Sequence, residues 1–135
     1  MTLKRIFTDS VNIAVCGMSR DPRKAASRVP AFLAEKGYRI IPINPSAREI
    51  MGLRCYASLD EVEERIDVLE VFRPPAEVPA IAARAARRRA ERGDVHVLWL
   101  QEGITSPEAA SIAVEAGMDY VEDRCMLKEY LRLMG

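Results

Sequence analysis

Apolar runs alternate with helix-period segments from one end of the chain to the other, and this alternation leaves few folds open. The runs Asn12–Cys16, Arg39–Ile43, Val68–Phe72, Val95–Leu100 and Met118–Val121 read as strands. The second, third and fourth are apolar almost throughout, as expected of strands covered on both faces. The pattern therefore predicts βαβ units with short right-handed crossovers. The expected architecture is α/β, a Rossmann-like doubly wound parallel sheet of five strands. A chain of 135 residues suits a single domain, 1–135, with a real core. Pattern alone does not choose between the strand orders 3-2-1-4-5 and 2-1-3-4-5. In either, ligands sit outside the carboxyl ends of the strands.

The helix signals are local. Leu3, Ile6 and Phe7 suit a short amphipathic helix rather than the apolar region of a secretory signal. Val29, Phe32 and Leu33 belong to a helix that stops near Lys36-Gly37. Pro30 is expected in its first turn, because a proline in a helix interior costs about 3 kcal/mol. That leaves a long polar loop from Gly17 to about Ser27. Ser58-Leu59-Asp60-Glu61 has the form of a capping box. A helix is expected from about Ala76 to Arg92, stopped by Gly93, with Val78, Ile81, Ala82, Ala85 and Ala86 as its buried stripe. Its arginines Arg84, Arg87, Arg88, Arg89 and Arg92 read as a solvated outer face. Ser106-Pro107-Glu108 opens a helix that ends at Gly117, and the last helix covers about Met126 to Met134.

Composition excludes several functions. Twenty basic and twenty acidic side chains cancel, so no net field draws the chain to nucleic acid or membrane. No apolar run approaches the ~18 residues of a membrane span. The three cysteines, Cys16, Cys55 and Cys125, are scattered, which argues against a disulfide framework or a zinc site and for a reducing cytoplasm. The single histidine, His96, falls inside a strand and excludes chemistry needing two. No Ser–His–acid set, Cys–His set or suitably spaced carboxylate pair is visible, so no catalytic or metal-binding residue is assigned.

The first strand leads into Cys16-Gly17-Met18-Ser19-Arg20-Asp21-Pro22, where a nucleotide-binding sheet carries its phosphate turn. The G-x-G-x-x-G fingerprint is broken, since Ser19 and Pro22 replace its second and third glycines. Gly17 lets backbone approach a phosphate, Ser19 offers a hydroxyl, and Arg20, Lys24 and Arg28 place three cations near a helix start. The second strand ends at Asn44-Pro45, where an NAD domain usually has a carboxylate for the ribose diol. Phe72-Arg73-Pro74-Pro75 follows the third strand. The Phe72 ring could lie on a flat group such as adenine or simply close the core. Cys125, after Asp123-Arg124, sits at a helix start that can lower a thiol pKa. The plainer reading makes it a small buried residue capped by Asp123.

Taken in order, these stretches resemble the small stand-alone CoA-binding proteins, the YccU-like family, related to the nucleotide-binding domain of the succinyl-CoA synthetase α subunit. The matching segments are Val15–Pro22, Gly37–Pro45, Gly52–Tyr56, Asp67–Pro75, Val97–Gly103 and Asp123–Cys125. The resemblance implies strand order 3-2-1-4-5 and coenzyme A, or an acyl-CoA, as ligand. It implies that the Gly17-Met18-Ser19 turn, with Arg20 and Lys24, faces the CoA phosphates. Asn44-Pro45 and Phe72-Arg73-Pro74 would border the nucleotide, and Gln101-Glu102-Gly103 would line the pantetheine side. Neutral Asn44 fits a ribose that carries a 3′-phosphate, which a carboxylate would repel. The synthetase's second domain and phosphorylated histidine have no counterpart here, so ligase activity does not carry over. The expected role is CoA binding without catalysis. The alternative is a small NAD(P)-binding oxidoreductase or redox-sensing domain, against which Asn44 and the broken glycine fingerprint both count.

Overall fold

A computed structural model describes residues 1–135. In chain order its elements begin with α1 (Leu3–Asp9), β1 (Asn12–Cys16), α2 (Ala25–Glu35) and β2 (Arg39–Ile43). A short hairpin, β3 (Glu49–Ile50) and β4 (Leu53–Arg54), precedes β5 (Val68–Val71) and α3 (Val78–Arg92). The chain then forms β6 (Val97–Leu100), α4 (Pro107–Ala116), β7 (Asp119–Val121) and α5 (Met126–Met134). Five strands make one parallel sheet in the order β2-β1-β5-β6-β7. The expected α/β class and doubly wound parallel sheet are therefore present.

The strand order implied by the resemblance is not. Numbered within the main sheet, the order is 2-1-3-4-5, not 3-2-1-4-5. The third main strand, β5, pairs with β1 through Ile13↔Val68 to Cys16↔Val71 and never reaches the outer edge of β2. The segment after β2 occupies that edge instead. Met51 and Gly52 both take positive φ, as a tight two-residue hairpin turn requires. The chain then returns to β2 as a one-residue parallel bridge, Ile43↔Tyr56. The Tyr56 amide donates to the Pro42 carbonyl and the Asn44 amide to the Tyr56 carbonyl, both at 2.9 Å.

Two apolar layers enclose the sheet. On one face Ile13, Val15, Val68, Val97 and Trp99 pack against Ile6 and Phe7 of α1, Val29 and Leu33 of α2 and Met126 of α5. On the other, Ala14, Ile41, Leu69, Val71, Leu98 and Leu100 meet Val78, Ala82 and Ala85 of α3 and Ala109 and Ala113 of α4. Alternate residues of each strand thus serve opposite layers, which is why the strands read as continuous apolar runs.

Three local expectations need correction. Pro30 lies in the interior of α2, not in its first turn. A proline there leaves the carbonyl four residues earlier, on Ala26, without its helical donor. The Ser19 amide takes that place at 3.1 Å, so the first loop completes the helix. Val95 lies before the strand proper and adopts φ +57°, an outlier for a β-branched residue, with its amide held 2.7 Å from the Ile66 carbonyl. The arginines of α3 are also not all solvated. Arg88 is only 4% exposed and pairs with buried Asp94 at 3.0 Å. Its guanidinium also donates to the carbonyls of Leu59, Val62 and Glu64 at 3.0, 2.8 and 2.9 Å.

Candidate functional site

The winding direction changes between β1, whose loop turns to the α2 face, and β5, whose loop turns to the α3 face. Open α/β sheets bind ligands at such a point. A cleft of about 330 Å³ lies there, at the carboxyl ends of β1, β2 and β5. Gly17 forms part of its rim with φ +85°, and a Cβ at that position would stand 2.9 Å from the Phe72 carbonyl oxygen. Only glycine allows the two loops to approach so closely. The Gly17 amide donates to the Ile43 carbonyl and the Phe72 amide to the Cys16 carbonyl, both at 2.9 Å, so the ladder extends to the mouth of the cleft.

Asn44 ties the rim together. Its side-chain nitrogen donates to the Met18 carbonyl at 2.9 Å, and its oxygen accepts from the Ser46 amide at 2.8 Å. A carboxylate could make the second bond but not the first. Neutral Asn44 therefore has a structural reason that the sequence did not reveal. The opposite wall is one face of α3 and the turn before it, carrying Glu77, Ile81 and Arg84 at helical spacing. Arg73 and Glu77 form a bidentate pair at 2.7 and 3.1 Å. Arg84 lines the cleft without a carboxylate partner. Cys16 is on the floor. Burial pushes its thiol up to about 11, with Arg73 and Arg84 opposing that rise and Glu77 adding to it.

Of the residues expected from sequence, the cleft brings together Gly17, Asn44, Pro45 and Arg73. The others lie elsewhere. Met18 is fully buried in the α2 layer. The Ser19 hydroxyl accepts from the Asp21 amide at 3.0 Å and shapes the loop. Arg20, Lys24 and Arg28 are exposed around the start of α2, with the Arg28 guanidinium turned onto the Arg23 carbonyl. The amides of Met18, Arg20, Ala25 and Ala26 donate to no group in the protein. Phe72 is half-buried against the α2 layer, and Pro74 is exposed before a single 3₁₀ turn.

The segment after β6 is separate from the cleft. Gln101 is buried, with its side-chain oxygen unpartnered. Glu102 is exposed and pairs with Lys128 at 3.0 Å. The Gly103 amide donates to Asp123 at 2.6 Å, so Asp123 supports this turn rather than capping Cys125. Cys125 is buried in the α2 layer, and the adjacent Arg124 carbonyl accepts the Trp99 indole at 2.7 Å. His96 lies between the guanidinium groups of Arg65 and Arg89 at 2.8 and 3.1 Å, a structural placement. Sequence reasoning missed Cys16, Ser46, Ser58, Ile81 and Arg84 as lining residues. Only the spacing of 77, 81 and 84 on one helix face could have suggested part of that wall.

A doubly wound sheet with a glycine turn and a cleft at its winding switch defines a nucleotide-binding α/β domain. The chain belongs to the CoA binding domain family, which matches residues 11–130. It is 32% identical over 124 residues to the uncharacterized protein YneT of Bacillus subtilis, covering 92% of this chain and 88% of that one. It is 26% identical over 129 residues to an ADP-forming acetate–CoA ligase (I) of Archaeoglobus fulgidus, covering 92% of this chain but 19% of the ligase. Among solved structures, the Thermus thermophilus protein cell-free ID.343 superposes with TM-score 0.90 at 36% identity, covering 98% of this chain and 96% of that one. No helix is long and apolar enough to cross a membrane.

Proposed function

We propose that this chain is a single CoA-binding unit that holds CoA or an acyl-CoA at the carboxyl edge of its sheet and has no catalytic activity of its own. The observation that carries the reading is the cleft at the winding switch, whose rim tolerates only glycine at position 17. Family membership supports CoA as the ligand. The nucleotide half would occupy the cleft, whose 330 Å³ suits a nucleoside rather than the entire cofactor. The phosphates would lie toward the start of α2. There the unpartnered amides of Arg20, Ala25 and Ala26 and the exposed cations Arg20 and Lys24 favour an anion. The remaining arm would run toward Gln101-Glu102-Gly103. Three free cysteines accord with residence in a reducing cytoplasm.

Calorimetric titration with CoA and with NAD tests this reading. CoA is expected to bind more tightly. The double variant Arg20→Ala/Lys24→Ala is expected to bind CoA more weakly with an unchanged melting temperature, each charged hydrogen bond contributing about 1.5–3 kcal/mol. NAD binding as tight as CoA would overturn the ligand assignment. Unaltered CoA binding by the double variant would move the phosphates away from α2.

A further inference from the structure

We propose that Arg84 reads the extra phosphate on the adenosine ribose of the ligand, and so separates CoA from dinucleotides and from dephospho-CoA. The inference rests on the CoA reading above and names a group of the ligand together with the residue that recognises it. In dinucleotide-binding sheets, where the second strand likewise lies beside the first, the ribose lies near the end of that strand, and a phosphate on it is accommodated by a nearby arginine. Here the second strand ends in Asn44-Pro45-Ser46, with no carboxylate to repel a phosphate. The cleft holds two cations, and they are not equivalent. Arg73 is committed to Glu77 at 2.7 Å, which also neutralises the only acid in the lining. Arg84, two turns along α3, faces the same space with no carboxylate of its own. The Ser46 hydroxyl, across the cleft, makes no hydrogen bond within the chain and is free to donate to the same group. Arg20 and Lys24 lie outside the cleft, so the two sets of cations serve different phosphates.

The test titrates wild type, Arg84→Ala, Arg84→Gln and Arg87→Ala with both CoA and dephospho-CoA, with melting curves alongside. Arg87 is one turn along the same helix, outside the cleft and near Asp60, so it controls for helix charge alone. Wild type is expected to prefer CoA. Both Arg84 variants are expected to lose about ten- to a hundred-fold in CoA affinity while binding dephospho-CoA as wild type does. Arg87→Ala is expected to keep the preference. Arg84→Gln preserves length and polarity, so it carries the test if the alanine variant is unstable. An equal loss for both ligands, no loss for either, or a wild type that binds both equally would overturn the assignment of Arg84 and leave the CoA reading standing. A wild type that binds no CoA would overturn both.

Discussion

Two buried ionisable sites in this fold were built on opposite terms. On the α3 face, Arg88 and Asp94 are almost wholly enclosed, and both side chains are hydrogen-bonded throughout. Arg88 donates to Asp94 and to three backbone carbonyls, while Asp94 also accepts from the Ile66 amide at 3.0 Å. On the α2 face, Glu70 is fully buried in β5, beside Val15 of β1 and Trp99 of β6, and neither carboxyl oxygen has a partner. Burial alone would raise both acids. For Asp94 the hydrogen bonds from Arg88 and Ile66 outweigh burial and hold the carboxyl below its ordinary value. For Glu70 nothing opposes it, and burial pushes the carboxyl up to about 8. The lesson is that burial does not decide whether a group is charged; the partners available to it do. The first site is an ion pair that shapes the chain, and the second is a neutral acid at physiological pH.

The largest effect is expected from breaking the first site. Arg88→Met leaves Asp94 charged without its guanidinium partner and takes the only donor from the Glu64 carbonyl, while Val62 keeps Arg92 at 2.7 Å and Leu59 keeps the Val62 amide at 3.2 Å. It should cost about 3–5 kcal/mol in denaturant unfolding. The double variant Arg88→Met/Asp94→Leu removes both charges and should recover part of that loss. A double variant no better than the single one would show that the lost bonds to backbone, above all to the Glu64 carbonyl, dominate the site.

The second site is tested through pH. The folded state keeps the Glu70 proton up to about pH 8, whereas an unfolded glutamate releases it near its ordinary value of 4.5. Between these values the unfolded state binds fewer protons, so stability falls as pH rises. The slope approaches about 1.4 kcal/mol per pH unit. Glu70→Gln should flatten this part of the stability profile and raise stability most at pH 8. A wild-type profile that is flat from pH 5 to 8 would mean that Glu70 finds a partner in solution.

The smallest effect tests a group intermediate between the two. Asn44→Asp replaces the donor to Met18 with an oxygen, at a half-buried position. A loss of about 1 kcal/mol in the same unfolding measurement is expected, because one hydrogen bond goes while the bond from the Ser46 amide remains.

These contrasts also explain what could be read from the sequence. β1 and β2 were legible to the residue, because an apolar run and its flanking turn are local facts. The neighbour of each strand was not, since β5 lies beside β1 for reasons spread over the hairpin, the Tyr56 bridge and the crossover. Arg88 sits within Arg87-Arg88-Arg89 and gave no sign that one of three arginines is enclosed. Glu70 was hidden by the apolar residues around it. The glycine rim and the second-strand end of the cleft were visible, because turn residues follow the strands. The opposite wall was not, because Ser58, Ile81 and Arg84 come together only through packing.

The bond between the Ser19 amide and the carbonyl left free by Pro30 has a consequence for timing. A glycine turn that wanders until its ligand arrives must surrender its freedom at the moment of capture, which weakens and slows the encounter. Here that freedom is surrendered earlier, when α2 forms, because the helix has a vacant acceptor that only the loop fills. Folding sets the shape of this loop, and the anchor is in place before anything binds.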